Sequence, residues 1–439
     1  MMISPLQNKA IRISALLTAA ALTVTLAGCS GSQGATTLDT KANVQLEMWS
    51  GQSDEAAKVL EQLVQEFEKD HPNVTIKLSP GASSTEQLLQ KLSAGFAGNQ
   101  YPDISYAFGS WAGQLEASNR TLDISSQVKQ PDVKWDEFTA AARTTAQPTG
   151  KKVIGFPAVV DNIGLLYNKT LFDKAGVQYP TNDWTWDDFR AAAAKLTDSA
   201  NHIYGYGYSV SGSEETTWQF WPHLWQNGGS ILSEGQEAAE FAQAPGVDAL
   251  TFLRSMAVDD KSVYLDQTDE KFGQLFVSDR IAMITSGPWQ LSDLKIGGTD
   301  YGVVRLPGTN GDHQTVSGPD LWALFDHQDK NRAHWSYEFA KWLTASRQDE
   351  RFNVAIGNLP LRTSAGSSEA VAAQTKEYPG YDVFVENSKN VEQARPTSKG
   401  YASLSTEIGK AISSVLQGKG EPKGSLEDAA KASDAQLTK

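Results

Sequence analysis

Between residues 44 and 96 the hydrophobic rhythm of the chain changes three times. Val44-Gln45-Leu46-Glu47-Met48 alternates apolar and polar positions, the period of a strand that buries one face. Leu60, Leu63, Val64 and Phe67 then recur at the spacing that puts them on one face of a helix. Ser53 is placed to cap that helix and Pro72 to stop it. Val74, Ile76 and Leu78 restore the alternation. Leu88, Leu89, Leu92 and Phe96 restore the helical stripe, with Ser84 and Gln87 at capping-box spacing. Strand–helix–strand–helix order predicts a parallel α/β sheet with right-handed crossovers.

The same alternation of elements recurs downstream. Thr185 and Asp188 are placed to cap a helix carrying Phe189, Ala193 and Leu196, while Ile281, Met283 and Thr285 predict a buried strand and residues 301–306 another. Trp335, Phe339, Trp342 and Leu343 share a helix face, as do Leu404, Ile408, Ile412 and Val415; from Gly418 the chain is polar and rich in Gly and Lys. No internal repeat breaks this order. Open α/β sheets bind ligands at the carboxyl ends of their strands. The loop Trp49-Ser50-Gly51-Gln52-Ser53, which follows the first strand, is therefore a candidate site on topology alone.

A length of 439 residues exceeds what one core supports and suits two lobes. The formal charge of −14 argues against nucleic acid, whose phosphates need Lys and Arg. The 12 Trp are an unusual number; core packing accounts for most such rings, but Trp is also the best flat apolar plate for the C–H face of a sugar, so several are candidates to line a site.

The first 28 residues contain no acidic side chain. Lys9 and Arg12 form a basic head before an apolar stretch, Ile13 to Leu26, too short to span a bilayer comfortably and of signal-peptide length. It ends in Leu26-Ala27-Gly28-Cys29, similar to the lipobox of bacterial lipoproteins, and Cys29 is the only cysteine of the chain. Cleavage before Cys29 would remove two positive charges and take the net charge from −14 to −16. Residues 29–41 then read as a flexible tether to a lipid anchor. A single cysteine also excludes an internal disulfide and a thiolate metal site.

No phosphate-binding Gly-rich loop and no Gly-x-Ser-x-Gly elbow is present, and the six His show no metal-ligand spacing. No cofactor and no metal are expected. Two carboxylates for glycoside hydrolysis need not be close in sequence, so a secreted carbohydrate-active enzyme stays open as an alternative.

Five segments then point to a family. Tyr101-Pro102-Asp103-Ile104, the run from Gly155 to Lys169, Trp225-Gln226-Asn227-Gly228-Gly229, Ala282 to Trp289 with its Gly-Pro-Trp end, and Asn358-Leu359-Pro360-Leu361-Arg362 follow one another in this order. Together they resemble the extracellular solute-binding proteins that include maltose-binding protein, across roughly residues 44–415. The resemblance implies a periplasmic-binding-protein-like fold of type II: two α/β lobes joined by several crossings, with the solute between them. It divides the chain into a first lobe of 42–157 plus 317–366 and a second of 158–316 plus 367–439. It also implies a carbohydrate ligand, expected from the many aromatic plates to be an oligosaccharide, delivered to the permease of an ABC importer by a protein expected to be monomeric.

On the matching positions, Asp161 takes the place of a carboxylate that accepts sugar hydroxyls, with a hinge cap as the other reading. Trp289 takes the place of the ring that stacks on a sugar. Trp218 and Trp221 are three apart, so either is the plate and the other its support. Trp49, Gln52 and Ser53, and Trp111 in the loop after the strand at 104–108, are further ligand candidates. Asp320 is a candidate that also fits a turn or cap. Arg362 is a candidate that also fits an interlobe salt bridge. Pro319 departs from the Gly-Gly usual at 318–319.

Overall fold

The computed structural model describes residues 34–52, 54–82, 85–269, 271–354 and 357–437, so Cys29 and the leader, Ser53 and Ser84 lie outside the described residues. Ten strands form two five-stranded sheets. The first has the order β2-β1-β3-β10-β4, from β1 (Val44–Trp49), β2 (Val74–Ser79), β3 (Ile104–Ala107), β4 (Gly155–Val159) and β10 (Asp320–Leu324). The second has the order β7-β6-β8-β5-β9, from β5 (Gly164–Asn168), β6 (Tyr206–Ser209), β7 (Val263–Asp266), β8 (Met283–Ser286) and β9 (Tyr301–Val304). Helices cover each sheet: one apolar cluster takes in the first sheet and one face of the second, with Leu166, Ile284, Phe272 and Leu291, and another takes the second sheet's other face, with Leu165, Tyr206 and Met283; this is a two-lobed α/β architecture.

The local signals mostly resolve as the pattern dictates. The stripe of Leu60, Leu63, Val64 and Phe67 is buried on the helix Asp54–Asp70. Thr185 and Asp188 close a capping box: the Thr185 amide donates to Asp188 Oδ2 at 3.0 Å and the Asp188 amide to Thr185 Oγ1 at 3.2 Å.

The sheets are mixed, not purely parallel. β1 pairs in parallel with β2 and β3, but β10 runs antiparallel to β3 and β4, and β5 antiparallel to β8 and β9. The reason lies in how the chain re-enters each sheet. β10 begins where Leu321 faces Ala107 and Asp320 faces Val159, at the carboxyl ends of β3 and β4. β5 begins where Gly164 faces Ser286, at the carboxyl end of β8. Both strands arrive from the other lobe, so both start at the gap between the sheets and run away from it.

The crossings are tied together. Thr315 Oγ1 donates to Ile163 O at 2.7 Å, the Thr315 amide to Asn390 O at 3.0 Å, and the Leu359 amide to Val160 O at 3.2 Å. Asn162 Nδ2 donates to Phe384 O at 2.9 Å, and Asn387 Nδ2 to Asn162 Oδ1 at 2.9 Å.

Two ends differ from their sequence reading. Residues 34–41, read as tether, lie on the first lobe: Lys330 donates its amide to Ala35 O at 2.8 Å, and the Asp39 amide donates to Asn331 Oδ1 at 2.7 Å. The polar tail forms the helix Pro422–Leu437, which packs along Tyr401–Leu416 and buries Pro422, Leu426, Ala429 and Ser433. That face is spaced as a helix stripe but built mostly from small or weakly apolar residues, so hydropathy hides it. Among the described residues, no helix is long and apolar enough to cross a membrane.

Leu426 is fully buried. Leu426→Ala should therefore cost about 2–5 kcal/mol. A thermal melt should show the loss as a drop of several degrees, and an unchanged melting temperature would mean that the last helix contributes little to the second lobe.

Candidate functional site

The carboxyl ends of β3, β4 and β8 and the crossings between the lobes bring one polar cluster together. Asp161 follows β4 on the first crossing, half-buried, and its Oδ1 accepts the Gly318 amide of the second crossing at 2.8 Å. Asp320 opens β10; its Oδ1 accepts the Gly109 amide at 3.0 Å and its Oδ2 the Tyr106 hydroxyl. Gly318 marks where the groups converge. A β-carbon there would fall 3.0 Å from Asp161 Oδ1, 3.2 Å from Arg395 Nη2 and 3.2 Å from Trp218 Cζ2.

The second lobe supplies the aromatic wall. Trp218 lies on the helix Glu214–Gln226, and Trp289 follows the Gly-Pro turn after β8. Their rings are nearly parallel, 14° apart with centroids at 5.5 Å, a stacked pair. Trp289 keeps 37% of its surface exposed, unusual for an indole already packed on one neighbour. Arg395 holds its guanidinium 5.5 Å from the Trp218 ring centroid and donates from Nη1 to Glu214 Oε1 at 2.7 Å. Glu214 is a hub that also accepts from Tyr401 Oη at 2.9 Å and Ser405 Oγ at 2.5 Å. Two buried donors, Trp218 Nε1 and Arg395 Nε, have no protein acceptor. Buried donors without partners are costly.

Charge in the cluster is predominantly negative. Burial, then the neighbouring Asp320 charge, push Asp161 from 3.8 up to about 7. Burial pushes Asp320 up to about 6 against the opposing pull of Arg395. Glu215, beside Glu214, is pushed up to about 7 by burial and by Asp269 and Glu214, against a hydrogen bond from Gln219. Burial opposes the Arg395 cation, but Glu214, Tyr401 and Asp320 outweigh it and raise its pKa.

The structure brings Asp161, Trp218, Trp289 and Asp320 together. Gln52 is half-buried in the loop whose Gly51 packs on Tyr106, so it borders the cluster. Trp111 is buried, tilted against Phe108 at 4.9 Å, and underlies the turn Gly109–Trp111 that holds Asp320. Trp221 is the support and not the plate: it is fully buried and donates from Nε1 to Tyr401 Oη at 3.1 Å. Trp49 is buried on the strand face of Glu47, to which its Nε1 donates at 2.8 Å. It lines a different cavity, with Lys91, His327 and Arg332. Neither expectation for Arg362 fits. Its guanidinium is buried inside the first lobe, donates to Thr344 O at 2.9 Å and to Val133 O and Lys134 O at 3.2 Å, and lies over Phe138. It is a structural clasp that neither reaches the cluster nor bridges the lobes.

Sequence reasoning missed Tyr106, Glu214 and Arg395. Each had a weak signal: Tyr106 near the carboxyl end of a strand, Glu214 in the first turn of the Trp-bearing helix, Arg395 before the Pro396 that leads to Tyr401. Among the described residues, no group of three His, Cys, Asp or Glu could hold a metal.

Residues 62–383 match the family described as bacterial extracellular solute-binding protein. The chain belongs to that family. A binding protein of Brucella abortus (strain 2308) is similar to this solute-binding chain, 26% identical over 402 residues, 86% of this chain and 90% of the other. The sn-glycerol-3-phosphate-binding periplasmic protein UgpB of Yersinia pseudotuberculosis is 23% identical over 415 residues, 90% and 93% of the two chains. Among solved structures, the cyclic α-maltosyl-1,6-maltose binding protein of Arthrobacter globiformis is similar with a TM-score of 0.79 and 22% identity over 90% of this chain and 99% of that one. UgpB of Mycobacterium tuberculosis, in complex with glycerophosphocholine, is similar with a TM-score of 0.79 and 16% identity over 90% and 98%. These structural likenesses place the fold of this solute-binding protein.

Raised carboxyl pKa values have a stability consequence. Asp161 and Asp320 keep protons in the folded state that the unfolded chain releases near 3.8. The folded state therefore binds more protons between about 4 and 7, and stability falls as pH rises through that window. Without solute, the melting temperature should be higher at pH 5 than at pH 8, and Asp161→Asn should flatten part of the slope. A melting temperature that instead rises from pH 5 to pH 8, unaltered in Asp161→Asn, would contradict the electrostatics described.

Proposed function

We propose that this solute-binding protein captures a neutral carbohydrate outside the bacterial cell and hands it to the permease of an ABC importer. The observation that carries the reading is the part-exposed Trp289, stacked on Trp218, beside the carboxylates of Asp161 and Asp320. A sugar presents a C–H face that suits an indole and vicinal hydroxyls that donate in charge-assisted bonds to a carboxylate. Its ring and hydroxyl oxygens suit the unpartnered N–H groups of Trp218 and Arg395. The names of several similar structures are consistent with this, among them the cycloalternan complex of Listeria monocytogenes and the sugar-binding MalE of Xanthomonas citri. Membership of a solute-binding family favours capture over the glycoside hydrolase alternative.

The similar UgpB proteins suggest a second ligand class, glycerol phosphates. The charge of the cluster speaks against it. Arg395 is the cation in contact, and it is already paired with Glu214, while Asp161 and Asp320 also act on it with acid. An anionic glycerol phosphate would meet more repulsion than attraction.

In this reading the lobes are 42–157 with 317–366 and 158–316 with 367–439. The solute touches both, so it favours the arrangement in which they meet. Thr397 Oγ1 donating to Pro148 O at 2.8 Å, and Gly113, where a β-carbon would fall 1.8 Å from Thr397 O, are contacts of that arrangement. Cleavage before Cys29 and lipidation of its thiol would hold a monomer at the outer face of the membrane, and Cys29→Ala would release it.

Trp289→Ala and Asp161→Asn test the site. A stacking face is worth about 1–3 kcal/mol, and a charge-assisted acceptor roughly 1.5–3 kcal/mol. A loss of ~2 kcal/mol is roughly thirtyfold in the dissociation constant. Calorimetry should show that loss for both variants, with the Trp289→Ala melting temperature nearly unchanged. A core Trp would instead cost about 3–5 kcal/mol of stability. Parental affinity in either variant would remove that residue from the site.

A further inference from the structure

Residues 34–41 cross the first lobe as a strap held along its length. Near its start, Ala35 O accepts the Lys330 amide at 2.8 Å. A β-carbon at Gly34 would fall 2.6 Å from Gln328 O and 2.9 Å from Asp329 Cβ, so the backbone there is pressed onto the turn before the helix Lys330–Leu343. Further along, the Asp39 amide donates to Asn331 Oδ1 at 2.7 Å, and Asn73 Nδ2 donates to Thr40 O at 3.1 Å and to Ala42 O at 2.9 Å. Asp329 serves the strap and the helix together. Burial opposes its charge, but the amides of Ala35, Arg332 and Asn331 outweigh burial and hold its carboxyl below the usual range.

The strap lies at the pole of the first lobe farthest from the gap. β10 runs away from the gap, and residues 328–331 follow its end. β1 runs parallel to β3, toward the gap, so its start at Val44 is at the same pole. Docking here shortens the leash to Cys29. From Cys29 to Gly34 is five peptide steps, which reach at most about 17 Å at roughly 3.4 Å each. Without the strap, Cys29 to Ala42 would be thirteen steps and about 44 Å. A lobe of about 150 residues has a radius of gyration near ~15 Å and is about 40 Å across. The longer leash would let the lobe turn any face to a membrane, whereas the shorter one keeps the attached pole within a lobe's radius of it.

We propose that the strap sets the orientation of the anchored protein: it holds the far pole of the first lobe to the phospholipid surface, so that the second lobe is the one that swings when solute closes the gap. The inference rests on the lipid anchor of the reading above and adds which face meets the lipid. Leash length does the orienting, with no headgroup recognised. Lys41, Lys330 and Arg332 at this pole are offset by Asp39, Asp326 and Asp329, so charge neither draws the pole to an anionic surface nor drives it off. Hydrogen bonds hold the strap, and burial contributes little. Leu38 is 51% exposed although it lines a hollow with Ala333 and Tyr337. Releasing the strap therefore leaves the lobe folded.

Energy transfer on vesicles tests the orientation. The full lipidated chain is reconstituted in phosphatidylethanolamine–phosphatidylglycerol vesicles carrying a rhodamine headgroup. Cys29 is the only cysteine and is consumed by its lipid, so a fluorescein maleimide reports one introduced thiol at a time. Lys330→Cys places the dye beside the strap. Lys174→Cys places it at an exposed position after β5, which runs away from the gap in the second lobe. Transfer should be clearly higher from position 330 than from 174. Gly34→Ala with Asn331→Ala removes the close approach and one hydrogen bond of the strap, and most of that difference should vanish while sugar affinity stays at the parental value. Should the double variant fail to fold, inserting about eight Gly/Ser residues between Gln33 and Gly34 restores the longer reach without touching the strap and should have the same effect. Equal transfer from the two positions in the parent, or a difference that survives both the release and the insertion, overturns the strap's role and leaves the anchor reading intact. A chain that does not stay on the vesicles overturns the anchor reading, and the orientation with it.

Discussion

The hydrogen bond from the Gly318 amide to Asp161 Oδ1 joins two of the chain crossings that link the lobes. Much of the site follows from that tie. The first lobe can gain β10 only if the chain comes back through the gap, and it comes back at the carboxyl ends of β3 and β4. The return places Asp320 against the Gly109 amide and the Tyr106 hydroxyl. It also forces the backbone at 318 so close to Asp161, Arg395 and Trp218 that a β-carbon would be tight against all three. Strand direction, crossing position and side-chain convergence are thus one constraint seen at three scales.

On the carbohydrate reading, the carboxylates packed at this junction would make the site electrostatically selective. Burial and mutual repulsion raise the pKa of Asp161, Asp320 and Glu215, and Arg395 is committed to Glu214. An added anion about 4 Å from an ionised carboxylate would meet roughly 4 kcal/mol of repulsion at an effective dielectric near 20, and less wherever the raised pKa keeps that carboxyl protonated. A neutral polyol has hydroxyl protons to give and relieves the cluster. The stacked Trp218 and Trp289 complete the match by supplying apolar surface beside the acceptors.

Much of the fold was legible in the chain, because amphipathic stripes such as Leu60 to Phe67 and the capping box at Thr185 are set by local physics. The antiparallel sense of β5 and β10 was not, because it depends on where the chain crosses between lobes, and no local period records that. The last helix hid behind Ala429 and Ser433, which bury as well as larger residues but carry no hydropathy signal. In the site, Trp218 and Trp221 show the limit most clearly. They share a helix and a residue type, yet one faces the cluster and the other is sealed under Tyr401. Arg362 was misplaced for a similar reason: an Arg next to a motif does not say whether its donors meet a solute or, as here, backbone carbonyls. Arg395 and Glu214 matter through each other, and their pairing spans 181 positions.

The central claim, that this acid-lined and Trp-walled cleft selects a neutral carbohydrate over an anion, is most directly tested by one competition. Isothermal titration calorimetry at neutral pH would compare a neutral oligosaccharide panel with the anion sn-glycerol-3-phosphate. The account predicts saturable one-to-one binding of at least one oligosaccharide and no measurable binding of sn-glycerol-3-phosphate. Tight binding of a glycerol phosphate, with every sugar silent, would contradict it.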